Sequence, residues 1–382
     1  MADALDQMMA GFRPKPPTAG GFGAAHHAPA PPPPRAHPPP GPTRAPPPPS
    51  PWSARADEQR TPAPAPALAL APAPARAPAP LVWPVAHAAC AEQNARHRSY
   101  MEDETVAVVD LLGGDAGGGG VGGSGGTPAY ALYAVYDGHG GRTAVDYVCA
   151  QLHRAIAAEV RASRGLGLGE CLQRAFMRAD AALKPAGAYS AGTTAAVVLL
   201  ARDPGGSVRL HLANCGDSHV LLVPRRAAGA AGAAGAAERL SEEHSGKAER
   251  EVARIEAAGG TVAYGRVGGM LAVTRALGDH ALKSDPHGKG LTAEPFLAER
   301  QLRADEHLAL VLGSDGVWES LNDAAIGQIA RQVLEERPPA GMAGARAQAA
   351  AAEVAQRLVR TAVQRGSRDN VSAVCLVLEP AA

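Results

Sequence analysis

The chain has no excess of charge of either sign: 37 basic residues balance 37 acidic ones over 382 residues. No bulk field therefore draws it to nucleic acid or to a membrane, which leaves only a local charged cleft open. Cysteine is scarce and unpaired in pattern. Cys90, Cys149, Cys171, Cys215 and Cys375 show no CxxC spacing, and three of them fall in apolar helix or strand patterns. That usage reads as free thiols in a reducing compartment, not as a disulfide framework. No apolar run reaches about 18 residues, so no membrane-spanning helix is expected. The N-terminus carries Asp3 and Asp6 and lacks an apolar stretch, so it reads as neither a secretory signal nor an organelle transit peptide. The expected location is the soluble cell interior, cytoplasmic and/or nuclear.

Proline and glycine are abundant but unevenly placed. Of 34 prolines, 25 lie before residue 85, in runs such as Pro31–Pro34 and Pro46–Pro49. A segment of Pro and Ala with little to bury is expected to stay disordered or locally polyproline II. This divides the chain into a tail, residues 1–84, and a folded domain, residues 85–382, long enough for a sizeable core. A chain beginning near residue 85 is accordingly expected to fold. Within the tail, Pro39-Pro40-Gly41-Pro42-Thr43-Arg44 fits a PxxPxR pattern of the kind SH3 domains bind.

From residue 85 short strands alternate with long helices. Apolar β-type runs at 105–112 and 129–136 flank Gly113–Gly126, where 10 of 14 residues are glycine, which reads as a flexible insertion in a hairpin. Helical periodicity marks 143–162, 168–183, 247–258, 323–336 and 345–365, and strands are expected at 194–201, 207–214, 219–223 and 371–378. A second low-complexity loop spans Ala227–Ala237. Adjacent strand pairs imply antiparallel sheets, and the grouped helices imply outer layers.

One feature recurs along this pattern: an apolar strand with a carboxylate at its tip. Ala131–Val135 leads into Tyr136-Asp137-Gly138-His139-Gly140-Gly141; His211–Cys215 leads to Asp217; Leu308–Ser314 leads to Asp315. Arg368-Asp369-Asn370 precedes Val371–Val374, and Met101-Glu102-Asp103 precedes Thr105–Val109. Carboxylates converging without paired bases repel one another, and a divalent cation is the natural counter-charge. Hard cations such as Mg²⁺ and Mn²⁺ take oxygen ligands, and the absence of a Cys/His cluster argues against the usual zinc site. Two such ions can clamp a phosphoryl group and lower the pKa of water. His139, two residues past Asp137, is then placed to donate a proton, and Arg98, four residues before Glu102, to hold phosphate oxygens.

Seven motifs occur in order. They are Arg98–Asp103, Asp137–Gly141, Ser190–Thr194, Asn214–Ser218, Leu271–Asp279, Ser314–Trp318 and Ser367–Asn370. Together they resemble the signatures of the metal-dependent type 2C protein phosphatases, which remove phosphate from serine and threonine, over roughly residues 92–378. The resemblance implies an α+β fold, a four-layer αββα sandwich of two antiparallel sheets flanked by helices. It implies two Mg²⁺ or Mn²⁺ ions. Asp137 would bridge them, Glu102 and the Gly138 carbonyl would bind one, and Asp315 and Asp369 the other. Asp103 would bond a water on the metal, Arg98 would hold the phosphate, His139 would protonate the leaving oxygen, and Asp217 would help hold a weaker third ion. The role of Asp279 stays open. The implied partners are phosphorylated proteins, and a monomer is expected.

The chain departs from the family pattern at His219, where arginine is usual, at Glu243-His244-Ser245-Gly246, and at Glu319 after Trp318. None of these removes a metal ligand; they bear on the local loop conformations and on the third-ion environment near Asp217. Its tryptophans are Trp52, Trp83 and Trp318, so the tryptophan that hormone co-receptor members carry between Gly259 and Thr274 is lacking. Cys90 and Arg96 do stand at Cys-x5-Arg spacing, but the resemblance implies direct attack by a metal-activated water, so a covalent phosphoenzyme is not expected. Two alternatives remain: a catalytically dead member that binds partners, which would normally have lost ligand carboxylates, and a protein whose proline-rich tail is the functional part.

Overall fold

The computed structural model describes residues 81–83, 85–113, 130–163, 166–203, 205–225, 235–336 and 344–380, all within one compact unit spanning Leu70–Ala382. The tail up to residue 80 with its PxxPxR match, the glycine-rich insertion from residue 114 and most of the Ala227–Ala237 loop lie outside the described residues.

Two antiparallel sheets form the centre. In one, β1 (Ala86–Glu92), β14 (Val371–Val377), β13 (His307–Gly313), β7 (His219–Pro224) and β8 (Glu238–Arg239) lie side by side. In the other, β11 (Leu277–Gly278), β4 (Gly192–Thr193), β3 (Tyr130–His139), β5 (Ala195–Arg202), β6 (Val208–Cys215) and β12 (Phe296–Leu302) follow one another, with β2 (Asp103–Val108) also paired to β3. A small hairpin, β9 (Val262–Ala263) and β10 (Arg266–Val267), stands apart.

Strand periodicity sorts the side chains into layers. Along β3, Ala131, Tyr133 and Val135 face the opposite sheet while Leu132, Ala134 and Tyr136 face the outer helices. Along β14, Val374 and Leu376 point inward while Val371, Ala373, Cys375 and Val377 point to the other helix layer. Strands buried on both faces carry nearly continuous apolar runs, which is why they were legible as strands.

Helices α1 (Thr143–Ala162) and α2 (Leu168–Leu183) cover the larger sheet, with Val148, Leu152, Ile156, Leu172 and Phe176 on one stripe. Helices α6 (Asp323–Glu336) and α7 (Ala345–Gln364) cover the smaller one. The stripe of α7 is mainly alanine, Ala347, Ala350, Ala351 and Ala355 among Val354 and Leu358, so its backbone can pack close to the sheet. The result is the expected four-layer sandwich. Helix α3 (Glu249–Ala257) and the β9–β10 hairpin form a satellite cluster around Ile255, Val267, Leu282 and Leu291.

Among the strands longer than two residues, two were not anticipated. β1 reads Ala-His-Ala-Ala-Cys-Ala-Glu and β12 reads Phe-Leu-Ala-Glu-Arg-Gln-Leu, patterns too polar to stand out. Both are sheet edges, held by the register of β14 and β6 respectively. Leu81 also packs in the inter-sheet core and bridges Pro380, so ordered packing reaches into the segment that composition assigns to the tail.

Candidate metal and phosphate site

The acidic strand tips meet at one end of the sandwich. Asp103 on β2 and Asp137 on β3 are direct cross-strand partners, an arrangement in which like charges repel. Asp315 opens the short helix α5 (Asp315–Trp318) immediately after β13, and Asp369-Asn370 lead into β14. Asp217 follows β6 in the turn before β7.

Neutral side chains fix this geometry. Asn370 Oδ1 accepts the Glu102 N–H at 2.8 Å, while its Nδ2 donates to the carbonyls of Gln93 and Tyr100 at 2.8 and 3.2 Å. Asn94 Nδ2 donates to the carbonyls of Ser367 and Asp369 at 2.7 and 3.1 Å. These two amides tie the loop carrying Arg98 and Glu102 to the start of β14. Ser314 Oγ donates to Asp103 Oδ2 at 2.7 Å and accepts the Ser372 N–H at 3.1 Å. Thr194 brackets Asp137: its N–H bonds the Asp137 carbonyl at 2.8 Å and its Oγ1 accepts the Asp137 N–H at 3.2 Å. Asn94 was not singled out from sequence, and Ser314 stood there only as part of a motif with no role of its own, because a buried amide or hydroxyl leaves no periodic signal.

The electrostatics are those of unmatched carboxyls. Burial pushes Asp137 well above the carboxylate range, and repulsion from Asp315, Asp103, Asp217 and Asp369 adds to it. Asp315 is raised in the same way by burial, then by Asp217, Asp369 and Glu319. Burial raises Asp103 to about 6 despite its bond from Ser314. Asp217 also reaches about 6, chiefly through burial. One oxygen of Asp315, Oδ1, is buried without any hydrogen-bond partner.

Among the described residues, no three His, Cys, Asp or Glu side chains already close on a single ion. Their present partners say why: Glu102 Oε1 accepts the Gly141 N–H at 2.8 Å, Asp369 pairs with the Arg98 guanidinium, and Asp103 takes the Ser314 hydroxyl. The donor set is nevertheless all oxygen, strongly repulsive and includes an orphaned carboxyl oxygen. That chemistry fits a hard divalent cation.

His139 and Arg98 flank the acidic tips. His139 Nε2 lies 2.8 Å from Asp279 Oδ2. Burial alone would push its imidazole down, but Asp279, Asp217 and Glu102 outweigh it and the pKa is raised. Next to Asp217 and Asp315 opens a cleft of 320 Å³ whose wall includes Glu243, Glu319, Arg239 and Trp318. Here the sequence departures acquire a structural meaning. His219 is buried, bonds Ser241 Oγ at 2.9 Å, and meets the Trp318 ring edge-on at 5.6 Å. Burial first, then Arg239, pushes it down to about 3, so it is a neutral packing residue. The guanidinium in this neighbourhood comes instead from Arg239, 5.0 Å over Trp318.

Fold and site together define an α+β sandwich with an all-oxygen acidic pocket at the end of its paired sheets. The sequence profile of the family Protein phosphatase 2C matches residues 90–371. Protein phosphatase 2C 56 of Arabidopsis thaliana is 30% identical over 269 residues, covering 64% of this chain and 57% of the relative. A probable protein phosphatase 1N of Homo sapiens is 34% identical over 257 residues, covering 64% and 53%. The chain thus spans under two thirds of the length of these relatives. A solved structure of a serine-threonine phosphatase 2C from Toxoplasma gondii shares the fold, with a TM-score of 0.57 at 19% identity over 79% of this chain and 98% of that one. The chain belongs to the protein phosphatase 2C family.

Proposed function

We propose that the protein hydrolyses phosphoserine and phosphothreonine in proteins, using a pair of divalent cations, Mg²⁺ or Mn²⁺. The observation that carries this reading is the convergence of Asp137, Asp315, Asp103, Asp217 and Asp369 as mutually repelling carboxyls within the family-matched region. Asp137, Glu102 and the Gly138 carbonyl would hold one ion, Asp137 with Asp315 and Asp369 the other, and Asp217 a weaker third. When bound, such ions lower the pKa of water and offset charge on a phosphoryl group. The remaining steps belong to the chain. Arg98 would leave Asp369 to grip phosphate oxygens, Asp103 would orient the attacking water through its carboxyl, and His139 would give a proton to the departing seryl or threonyl oxygen. The substrates are phosphorylated proteins and the working unit is a monomer. Retention of every expected carboxylate disfavours a catalytically dead scaffold.

The test is phosphate release from phosphothreonine and phosphotyrosine peptides, with Mn²⁺, with Mg²⁺ and in EDTA. Turnover of the phosphothreonine peptide that EDTA abolishes and Mn²⁺ restores is expected. Full activity after exhaustive chelation would exclude the two-cation reading.

A further inference from the structure

Asp279 is a buried carboxyl in an uncommon backbone state. Its φ is 51°, in the left-handed region, where a non-glycine residue is seldom placed without a reason. It precedes the short helix α4 (His280–Lys283), yet its side chain makes no capping bond to that helix. The carboxylate is spent elsewhere: Oδ2 holds His139 Nε2 at 2.8 Å, with the Asp279 side chain 7% exposed and that of His139 29%.

The surrounding backbone is built to permit this contact. His139, Gly192 and Gly278 are register partners across three adjacent strands, β3, β4 and β11. The Asp279–His139 bond runs directly over Gly192, where a Cβ would sit 2.1 Å from Asp279 Oδ2 and 2.4 Å from His139 Nε2. Asp279 itself is pinned by its N–H to the Ala191 carbonyl at 2.9 Å. Its neighbour Gly278 donates to Asp180 Oδ1 at 2.8 Å, the same oxygen that accepts Lys283 Nζ at 2.7 Å. Thus a glycine in the middle strand, a left-handed aspartate and a clamp from α2 all serve one hydrogen bond.

We propose that Asp279 is the positioning residue for His139, holding the ring through Nε2 so that Nδ1 is the nitrogen that delivers the proton to the departing oxygen. Among the described residues Nδ1 has no hydrogen-bond partner, so it is the ring nitrogen left free to act. This rests on the phosphatase reading above. In the step, water forms the new bond to phosphorus as the bond between phosphorus and the seryl or threonyl oxygen breaks. The electron pair leaves on that oxygen, which takes the Nδ1 proton. The attacking water gives up a proton to solvent, from which the imidazole is recharged.

A positioning role differs from a merely structural one in its dependence on the leaving group. An alkoxide needs a proton and a nitrophenolate does not, and general acid catalysis is worth about 10²–10⁴-fold where it is needed. Asp279→Asn is the informative variant, because asparagine tolerates the left-handed region and keeps an oxygen at the same place. Its kcat on a phosphothreonine peptide is expected to fall about 10²-fold, and its loss on p-nitrophenyl phosphate to be at least about tenfold smaller. Combining it with His139→Gln should add little to the loss from His139→Gln alone, since both remove the same contribution. Equal losses on the two substrates, or losses that multiply in the double variant, would overturn the proposal. Should Asp279→Asn melt early, the same ratio is read on Asp279→Glu, whose carboxylate lies one methylene away and should shift it in the same direction. Wild-type inactivity on both substrates would instead overturn the phosphatase reading, so the two failures are distinguishable.

Discussion

Asp137 and Asp315 illustrate how one residue can oppose the stability of its own fold. Both carboxyls are raised well above the usual range by burial and by one another's neighbours, and Asp103 and Asp217 stand at about 6. A carboxyl raised in the folded state binds its proton more tightly there than in the unfolded chain. Stability from that source is present below the unfolded pKa and is lost as pH rises through the folded one. In EDTA, the wild type is therefore expected to lose stability relative to Asp137→Asn or Asp315→Asn as pH rises from about 4, the unfolded carboxylate pKa, through the raised folded one. Urea denaturation at several pH values reads this as a gap in midpoint that widens with pH; a constant gap would contradict it. The same variants should lose several orders of magnitude in kcat with saturating Mn²⁺, since each removes a charge from the cation site. Gain in stability with loss of function marks a residue retained for chemistry.

Among the elements, helix α3 and the β9–β10 hairpin depend on one buried anion. Glu251 accepts from Arg275 Nη2 at 2.7 Å and Nε at 3.0 Å, from Arg254 Nη2 at 2.6 Å, and from the Thr274 hydroxyl at 2.7 Å. Burial alone would raise its carboxyl, but Arg275, Arg254 and Thr274 outweigh it and hold it well below the usual range. Its contribution is present above the unfolded carboxylate pKa and lost as pH falls through the folded one, the opposite sense to the site aspartates. Glu251→Gln leaves the largely buried Arg275 guanidinium without its carboxylate partner, and is expected to cost about 3 kcal/mol, with faster proteolysis across 258–272. Undiminished melting temperature and protease resistance would show the network to be dispensable. A second expectation concerns the joint of α5 with β14. At Gly316 a Cβ would lie 2.1 Å from the Asn370 carbonyl oxygen, so Gly316→Ala must pry Asp315 from Asp369. Weakened Mn²⁺ binding by calorimetry is expected, and unchanged affinity would count against that coupling.

These elements also show what a sequence reveals. The carboxylates were legible because each stands at the tip of an apolar strand, and an apolar run bounded by an acid stands out. Glu251 was not, because Arg254 lies one helical turn away but Arg275 lies 24 residues on, and only the folded chain joins them. β12 was missed for a related reason: an edge strand needs no apolar outer face, so Glu299 and Arg300 masked it. Asn94, with φ of 57°, carries a loop bond to Asp369 that no local pattern announces.

For the molecule as a whole, composition places the start of the fold at residue 85, whereas packing places it a few residues earlier. Leu81 and Val85 are buried at 3% and 2% exposure, and Trp83 packs against the same inter-sheet cluster. The Val82 N–H donates to the Glu379 carbonyl at 2.9 Å, and Leu81 pairs with Pro380 beyond the end of β14. The segment thus seals the inter-sheet core near the C-terminus, away from the acidic tips at the start of β14. Its apolar side chains are few, but removing Leu81, Trp83 and Val85 opens the layer between the two sheets. Burial of a large apolar side chain is worth about 1.5–3 kcal/mol, so the three together represent about 5 kcal/mol, a large part of a typical domain's stability. A chain beginning at residue 81 is expected to melt close to the full-length protein and to keep its activity. One beginning at residue 86 should lose about 5 kcal/mol in denaturant titration, while its Mn²⁺ affinity at low temperature changes little because the site lies at the opposite end of β14. Equal stability of the two truncations would remove the segment from the fold. A loss already present in the chain starting at 81 would mean that residues before it also contribute to the core.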